Sequence, residues 1–387
     1  MERPLKIAML VRAFATDGGL ELYAHRVVEG LLKQGHQVTV ICQNKRSDFT
    51  HANLSFKTIE GRSDRLPKIK RLQHDYAAGN AVLAECADQF DLVHSQHYPT
   101  SFADVVTFHN HSARRWSHAG LPWERKVNDA KCALVPAYKL RDQYDQELCR
   151  NARCRVFPSR VMQQDYYDTY LINPAEAPYM VAFPGSSMPS SQTTQPDKKA
   201  DKPFTFLFVG RGFRRKGLDV VLGACAELAR SGKKFQLLIA GLKEKPIDKI
   251  RLNLLGLQGK VSYLGFRNDM DTVFREADAA VLPSRVEPFG MAPLQAMSFG
   301  LVPIVSRVSG VSEVLTDRQD CLILENHLDC HELAKLMDEL LSNPQLLADL
   351  RRNAPSTAAK VNWDQTVTST LNAYELALQT ARPAAVK

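Results

Sequence analysis

The chain has 387 residues with 44% hydrophobic and 24% charged content, which is too long for one ordinary core and suits two domains. No apolar run approaches the ~18 residues of a membrane-spanning helix, and the N-terminal MERPLKIAMLVRAF, with an acid at position 2, reads as a first strand and not a signal peptide. The net charge of +8 comes without zinc-finger spacing, an RNP-type aromatic motif or a basic heptad region, so nucleic acid is not an expected partner.

In chain order, LKIAMLV (residues 5–11) is the first expected strand, and the loop RAFATDGG follows. Leu20, Ala24, Val27, Val28, Leu31 and Leu32 then recur at helical spacing, with Gly35 where a C-terminal cap belongs. The β-branched QVTVIC completes a βαβ unit, the signal of a parallel sheet. DLVHSQ and DVVTFHN read as later strands of the same sheet.

Residues 185–203, GSSMPSSQTTQPDKKADKP, are almost free of apolar side chains and form the expected linker. Beyond it the pattern restarts. FTFLFVG is a buried strand; Leu218, Val221, Leu222, Cys225 and Leu228 mark a helix ending at Gly232. FQLLIAG, KVSYLGF, DAAVLPS and LVPIVS are further strands. The expected domains are 1–190 and 204–362, with a last helix, 363–381, packing back on the first. Both are doubly wound α/β units, whose ligands bind at the carboxyl ends of the strands, and the default site of such a pair is the cleft between them.

Three junctions carry candidate chemistry. In EPFGMAPLQ, Glu287 follows a strand, Pro288 and Gly290 shape a turn, and a helix is expected to start near Gly290–Met291. Free N–H groups at a helix start bind anions. Met291 and Gln295 are i,i+4 on one face, so Gln295 would meet the moiety one turn, ~5.4 Å, beyond a bound phosphate. In VGRGFRRKGLD, Arg211 and Lys216 flank a glycine-containing loop and suit a diphosphate, although the Walker order is missing. In DGGLE, Gly18 and Gly19 let backbone approach a ligand, without a dinucleotide fingerprint. His109 ends a strand in TFHNH. Taken alone, each also reads as a capping turn, a solvated loop or a satisfied core histidine. His94, His97, His109 and His111 lack an accompanying carboxylate cluster, so no metal is expected.

Charge and thiols bear on partners and compartment. Between Asn110 and Arg160 there are eleven Lys/Arg against five Asp/Glu, and GRSDRLPKIKR (61–71) is a second basic stretch. Either a solvated surface or contact with an anionic membrane or acceptor accounts for them. The eight cysteines form no CxxC pair and read as reduced thiols of a cytoplasmic protein.

Together these pieces resemble the retaining glycosyltransferases of family 4. The GG loop and its helix, QGHQVTV, the strand-end His109, VGRGFRRKGLD, YLGFRND, ADAAVLPSRVEPFGMAPLQAMSFGLVPIVS and SGVSEVL match in order over most of the chain. The LGFRND run and the basic insert after His109 resemble the lipopolysaccharide-core glucosyltransferase branch. The resemblance implies the GT-B fold: α/β, two doubly wound Rossmann-like domains facing a central cleft. It implies a nucleotide-sugar donor, with UDP the expected nucleotide, a glycan or lipid-linked acceptor, and no metal or other cofactor. It places Arg211 and Lys216 on the donor diphosphate, Phe266 and Arg267 by the nucleobase, and the backbone of Phe289, Gly290 and Met291 on phosphate and sugar. Glu287 would contact sugar hydroxyls, His109 would lie beside the anomeric centre, and Gly18 and Gly19 would approach the donor. Gln295 stands where the family carries a second acid, and SG replaces a commoner GG at 309–310. An amide accepts through one oxygen and donates through its nitrogen, so ribose recognition would persist in altered form. Competing readings are a nucleotide-sugar-binding protein without catalysis, and a GT-B epimerase or phosphorylase; neither epimerase acid/base groups nor a pyridoxal lysine motif is evident.

Overall fold

A computed structural model describes residues 3–115, 119–186 and 202–380. Most of the expected linker, from 187 to 201, lies outside the described residues. The chain forms two compact units: one runs to Gly185 and resumes at Trp363, the other runs from Ser186 to Asn362.

The first unit opens with β1 (Lys6–Phe14), α1 (Gly19–Lys33), β2 (Gln37–Lys45), β3 (Leu54–Thr58) and α2 (Lys68–Ala84). It continues through β4 (Leu92–Ser95), β5 (Val105–Thr107), α3 (Pro122–Leu134), α4 (Pro136–Asn151), β6 (Cys154–Phe157), α5 (Arg160–Tyr170) and β7 (Tyr179–Val181). All strands pair in parallel in the order β3-β2-β1-β4-β5-β6-β7. Ile7 to Val11 is an unbroken buried run, as expected of a parallel strand covered on both faces. Met9 packs with Tyr23, Val27 and Leu31 of α1 on one face, and Leu10 packs with Leu83 and Tyr98 on the other.

The second unit contains β8 (Phe204–Val209), α6 (Leu218–Arg230), β9 (Phe235–Ala240), α7 (Pro246–Leu254), β10 (Val261–Gly265) and α8 (Met270–Glu276). After these come β11 (Ala279–Leu282), α9 (Met291–Ser298), β12 (Val302–Ser306), β13 (Leu322–Leu324), α10 (Cys330–Ser342) and α11 (Pro344–Lys360). The sheet order is β10-β9-β8-β11-β12-β13, again all parallel. In both sheets the strand order reverses beside the unit's first strand, between β1 and β4 and between β8 and β11. That reversal leaves a crevice at the carboxyl ends where ligands of open α/β sheets bind.

The last helix, α12 (Trp363–Gln379), belongs to the first unit. Gly30 of α1 gives it room, since a Cβ there would collide with Val367. Buried Tyr374 donates to or accepts from His94 Nδ1 at 2.8 Å, which ties α12 to β4.

The basic stretch 110–160 is not one charged surface. Arg155 is buried and donates to the carbonyls of Cys149 and Arg150; Arg153 donates to Asp104 and the Thr380 carbonyl. Arg114 pairs with Asp142, and Arg141 lies 3.6 Å from Asp145. Arg125, Lys126, Lys131 and Lys139 remain exposed on α3 and α4.

Candidate active site

In the second unit, β8 ends at Val209 and hands over to the loop Gly210–Gly217. Gly217 has φ +76, and a Cβ there would collide with the Pro283 carbonyl oxygen. Only glycine lets this loop close against the segment after β11, and the closure sets Lys216 beside Glu287. Lys216 Nζ donates to the Glu287 carboxylate, and Ser284 Oγ donates to the same oxygen at 3.3 Å. Arg215 Nη1 lies 4.0 Å from that carboxylate and donates to the Val286 carbonyl at 3.2 Å. Glu287 is itself fixed by backbone: it bridges to Ser309 in parallel, and Gly310 N–H donates to its carbonyl at 3.3 Å. Lys216, Ser284, Glu287, Gly290 and Ser309 line one cavity.

Helix α9 starts at Met291, as its turn signals predict, with Gly290 at φ +98. The carbonyl of buried Phe289 accepts from Val311 N–H at 2.8 Å, pinning the turn. By helix geometry the N–H groups of Met291 and Ala292 have no partner within the helix, and Pro293 carries none. Gln295 is half-buried one turn on, on the same face as Met291; it does not line the cavity that holds Glu287. Its side-chain amide makes no hydrogen bond among the described residues, unlike its carbonyl, which accepts from Ser298.

Arg211 opens the same loop, five residues before Lys216. It is exposed, and its guanidinium stacks over the exposed Phe266 ring at 4.9 Å. Arg267, beside it, is engaged by Asp269. This cationic face on an aromatic ring is a ready platform for a flat, electron-rich ligand.

Sequence reasoning missed two arginines of the loops. Arg215 belongs to the Glu287 cluster. Arg285 looks like a strand-end cation, yet its side chain is 2% exposed and donates to Asp219 at 2.6 Å and to the Arg214 carbonyl at 2.8 Å. It braces the Lys216 loop from beneath. Only the spatial pairing of two loops distinguishes it from a ligand-facing cation.

In the first unit, His109 follows β5 and its Nε2 lies 2.7 Å from Gln96 Oε1. An amide oxygen only accepts, so Nε2 carries the proton and Nδ1 the lone pair. Burial, with His97 and His94 nearby, holds its pKa well below the usual histidine range, and the ring is neutral at pH 7. It packs edge-on against Tyr23 of α1 at 4.9 Å. His97, a non-glycine residue at φ 55, accepts the His109 N–H at Nδ1 (3.3 Å) and sits 3.0 Å from Asp145. Gln96 was not singled out from sequence, and His97 was weighed only as one of four histidines considered as metal ligands; their signal is their place just after β4, at the sheet's reversal. Gly18, at φ +111, caps α1, where a Cβ would collide with the Glu21 carboxylate, and Gly19 is the first helical residue. His94 and His111 are committed elsewhere, to Tyr374 and Thr107 and to Asp165. Among the described residues no three His, Cys, Asp or Glu side chains are grouped as metal ligands.

Two family models match: Glycosyltransferase Family 4 over residues 17–177 and Glycosyl transferases group 1 over residues 191–357. Among curated proteins, the chain is 24% identical to an uncharacterised glycosyltransferase of Methanocaldococcus jannaschii, over 97% of this chain and 99% of that one. It is 25% identical to a D-inositol 3-phosphate glycosyltransferase of Acidothermus cellulolyticus, over 96% of this chain and 88% of that one. Among solved structures, sucrose-phosphate synthase from Thermosynechococcus elongatus matches with a TM-score of 0.73 at 18% identity, covering 96% of this chain and 98% of that one. WaaG, a glycosyltransferase involved in lipopolysaccharide biosynthesis, matches at 0.69 and 18%, covering 96% and 99%. HepE from Anabaena, solved with UDP and glucose, matches at 0.62 and 15%, covering 95% and 98%. Both sheets and their order are therefore those of the GT-B fold.

Proposed function

The chain belongs to family 4 of the glycosyltransferases, and we propose that it moves a sugar from a UDP-sugar to a glycan or lipid-linked acceptor, with retention and without a metal ion. The observation that carries this reading is the Lys216–Glu287 pair at the carboxyl edge of the second sheet, beside the start of α9. The bond that breaks is the anomeric C–O bond. Negative charge then develops on the leaving diphosphate, where a fixed ammonium and the N–H groups of Met291 and Ala292 stabilise it. Glu287 takes sugar hydroxyls, Phe266 with Arg211 takes the base, and Gln295 takes the ribose. His109, neutral, offers Nδ1 as an acceptor to the sugar. HepE, a GT-B neighbour, has been solved with UDP-glucose, which supports UDP as the nucleotide. Cationic side chains neutralise the diphosphate, so no divalent ion is required for that role.

A peripheral membrane location is part of the proposal. On α3, Trp123 (55% exposed), Val127 (44%) and Leu134 (78%) share one face, with Lys126 and Lys131 flanking it. An apolar stripe flanked by cations is the pattern of a helix lying in an anionic interface. No helix among the described residues is long and apolar enough to cross a membrane. The eight cysteines are all unpaired, which supports a reducing cytoplasmic compartment.

The test is a thermal-shift panel of UDP-, GDP- and ADP-sugars, since a ligand that binds only the native state stabilises it. It is followed by donor turnover in EDTA and by the anomeric configuration of the product. A shift with UDP-sugars, turnover undiminished by EDTA and a retained anomer are expected. No shift with any nucleotide, or inversion, would overturn the reading.

A further inference from the structure

A second cationic centre lies in the first unit, away from every residue given a role above. Asp75 of α2 is fully buried, and three side chains converge on it. Arg12 of β1 donates to it at 2.9 Å and Gln43 of β2 at 2.8 Å. The Nε of Arg62 lies 2.7 Å away. One carboxylate therefore faces two guanidinium groups. Arg62 is the notable member: its side chain is only 10% exposed, yet neither its Nε nor its Nη1 donates a hydrogen bond in the structure. A guanidinium withdrawn from water with donors unmade is costly unless something accepts from it. Arg71, on the first turns of α2, is likewise left with an unpartnered buried Nε.

Asp64 shows what fits between them. Its carboxylate is 95% exposed and lies 4.0 Å from Arg62 Nη1 and 3.9 Å from Arg71 Nη1, at the limit of ion pairing with both. It makes no close bond to either and pays the entropy of neither. An anion with three oxygens could reach both forks at hydrogen-bond distance, which a tethered carboxylate at 4 Å does not. Arg12 and Gln43 lie near the carboxyl ends of β1 and β2, the edge at which such sheets take ligands.

We propose that Arg62 and Arg71 form a phosphate site that holds a phosphorylated acceptor, and that the Asp64 carboxylate stands in for the phosphate in the free protein. The acceptor half of this statement rests on the transferase reading. The phosphate can belong to a soluble sugar phosphate or to a lipid headgroup, since the chemistry recognised is the same.

The site is tested by titrating the full chain with inorganic phosphate and with a hexose phosphate by NMR, and by co-sedimentation with vesicles containing phosphatidylglycerol. UDP affinity is measured alongside. Arg71→Gln and Arg62→Gln should weaken phosphate binding about tenfold, whereas Asp64→Asn should tighten it several-fold, because the internal competitor is gone. The side chains bonded to Asp75 are those of Arg12, Arg62 and Gln43 and not that of Arg71, so the Arg71 variant leaves those bonds in place. UDP affinity should be unchanged in all three. Dependence on Arg71 in the soluble arm supports a sugar-phosphate acceptor, and dependence in the vesicle arm alone supports a lipid one. Phosphate and vesicle binding insensitive to all three substitutions would overturn the site with the transferase reading untouched. Loss of phosphate and UDP binding together would overturn it too, by showing that phosphate reports on the donor site. Failure of the wild type to bind UDP would instead strike the transferase reading itself.

Discussion

Lys216, in the loop after β8, donates to the carboxylate of Glu287, beyond the end of β11, so one ion pair joins the segments that follow the two strands at the sheet's reversal. The side chains are 15% and 12% exposed, which places the pair mostly out of water. In the proposed reaction Glu287 holds the ammonium against the leaving diphosphate. Lys216→Ala should therefore lower kcat/KM by roughly 10²–10³, the scale of a lost transition-state charge contact. Glu287→Gln should lower it as well, and the double variant should lose less than the two losses combined, by about 0.5–3 kcal/mol. Steady-state kinetics on the four proteins decides this. Additive losses would show that the two residues act independently.

Gly217 sets the geometry of that pair. Replacing it by Ala puts a side chain at φ +76 and against the Pro283 carbonyl oxygen. Left-handed strain costs about 1–2 kcal/mol and overpacking about 1–3, so Gly217→Ala should destabilise by about 2–5 kcal/mol. Gly232 is the control: its φ is +73 and nothing lies within 4 Å of an added Cβ, so Gly232→Ala carries the strain alone. Urea melts of the two variants should differ in midpoint, with Gly217→Ala the lower. Equal midpoints would mean that the loop yields freely, and that the position of Lys216 is not held by this contact.

These two residues also show what is legible in the sequence. The strand FTFLFVG, the helix starting at Met291 and the glycines that end helices are written in local patterns, and they recur in the structure where those patterns lie. The family's motifs bring Lys216 and Glu287 to attention separately. Their bond is not local, because it depends on β8 and β11 being neighbours, a fact of sheet order. Charge is ambiguous for the same reason. Arg285, Arg155 and Arg62 look like surface cations in the sequence, and each is drawn inward by a partner that only the fold supplies. Helix α11 defeats local reading in another way, since Pro355 sits inside it.

The buried histidine of β4 makes stability depend on acid. Burial lowers the His94 pKa to about 3, whereas the unfolded chain protonates the same ring near the ordinary 6.5. Below 6.5 the unfolded state binds a proton that the native state refuses, so stability falls as pH falls. From His94 the loss is about 1.4 kcal/mol per pH unit, from the unfolded value down toward the folded one. His109, lowered by burial and by His97 and His94, adds in the same direction. Urea melts between pH 7 and 5 should show this slope, and His94→Asn should make it shallower. An unchanged slope in that variant would remove His94 as its source.

Gln295 is one of two places at which this chain departs from its family's pattern, and its surroundings make its role testable. It is half-buried, one turn past the start of α9, and its amide has no side-chain partner among the described residues. An amide held so close to water is available to ribose hydroxyls, which both donate and accept. Gln295→Ala should weaken UDP binding by about 1–3 kcal/mol, the cost of leaving a ligand's polar group unpaired. Gln295→Glu should be tolerated and bind as tightly or more so, because a carboxylate accepts more strongly from hydroxyls. Repulsion from the diphosphate opposes this gain, but the start of α9 and Lys216, which lines one cavity with Gly290 and Ala292, carry charge of the opposite sign. Calorimetry with UDP on the three proteins gives the order directly. Equal affinities would place the ribose elsewhere, and the role of the whole helix would then end at its first turn.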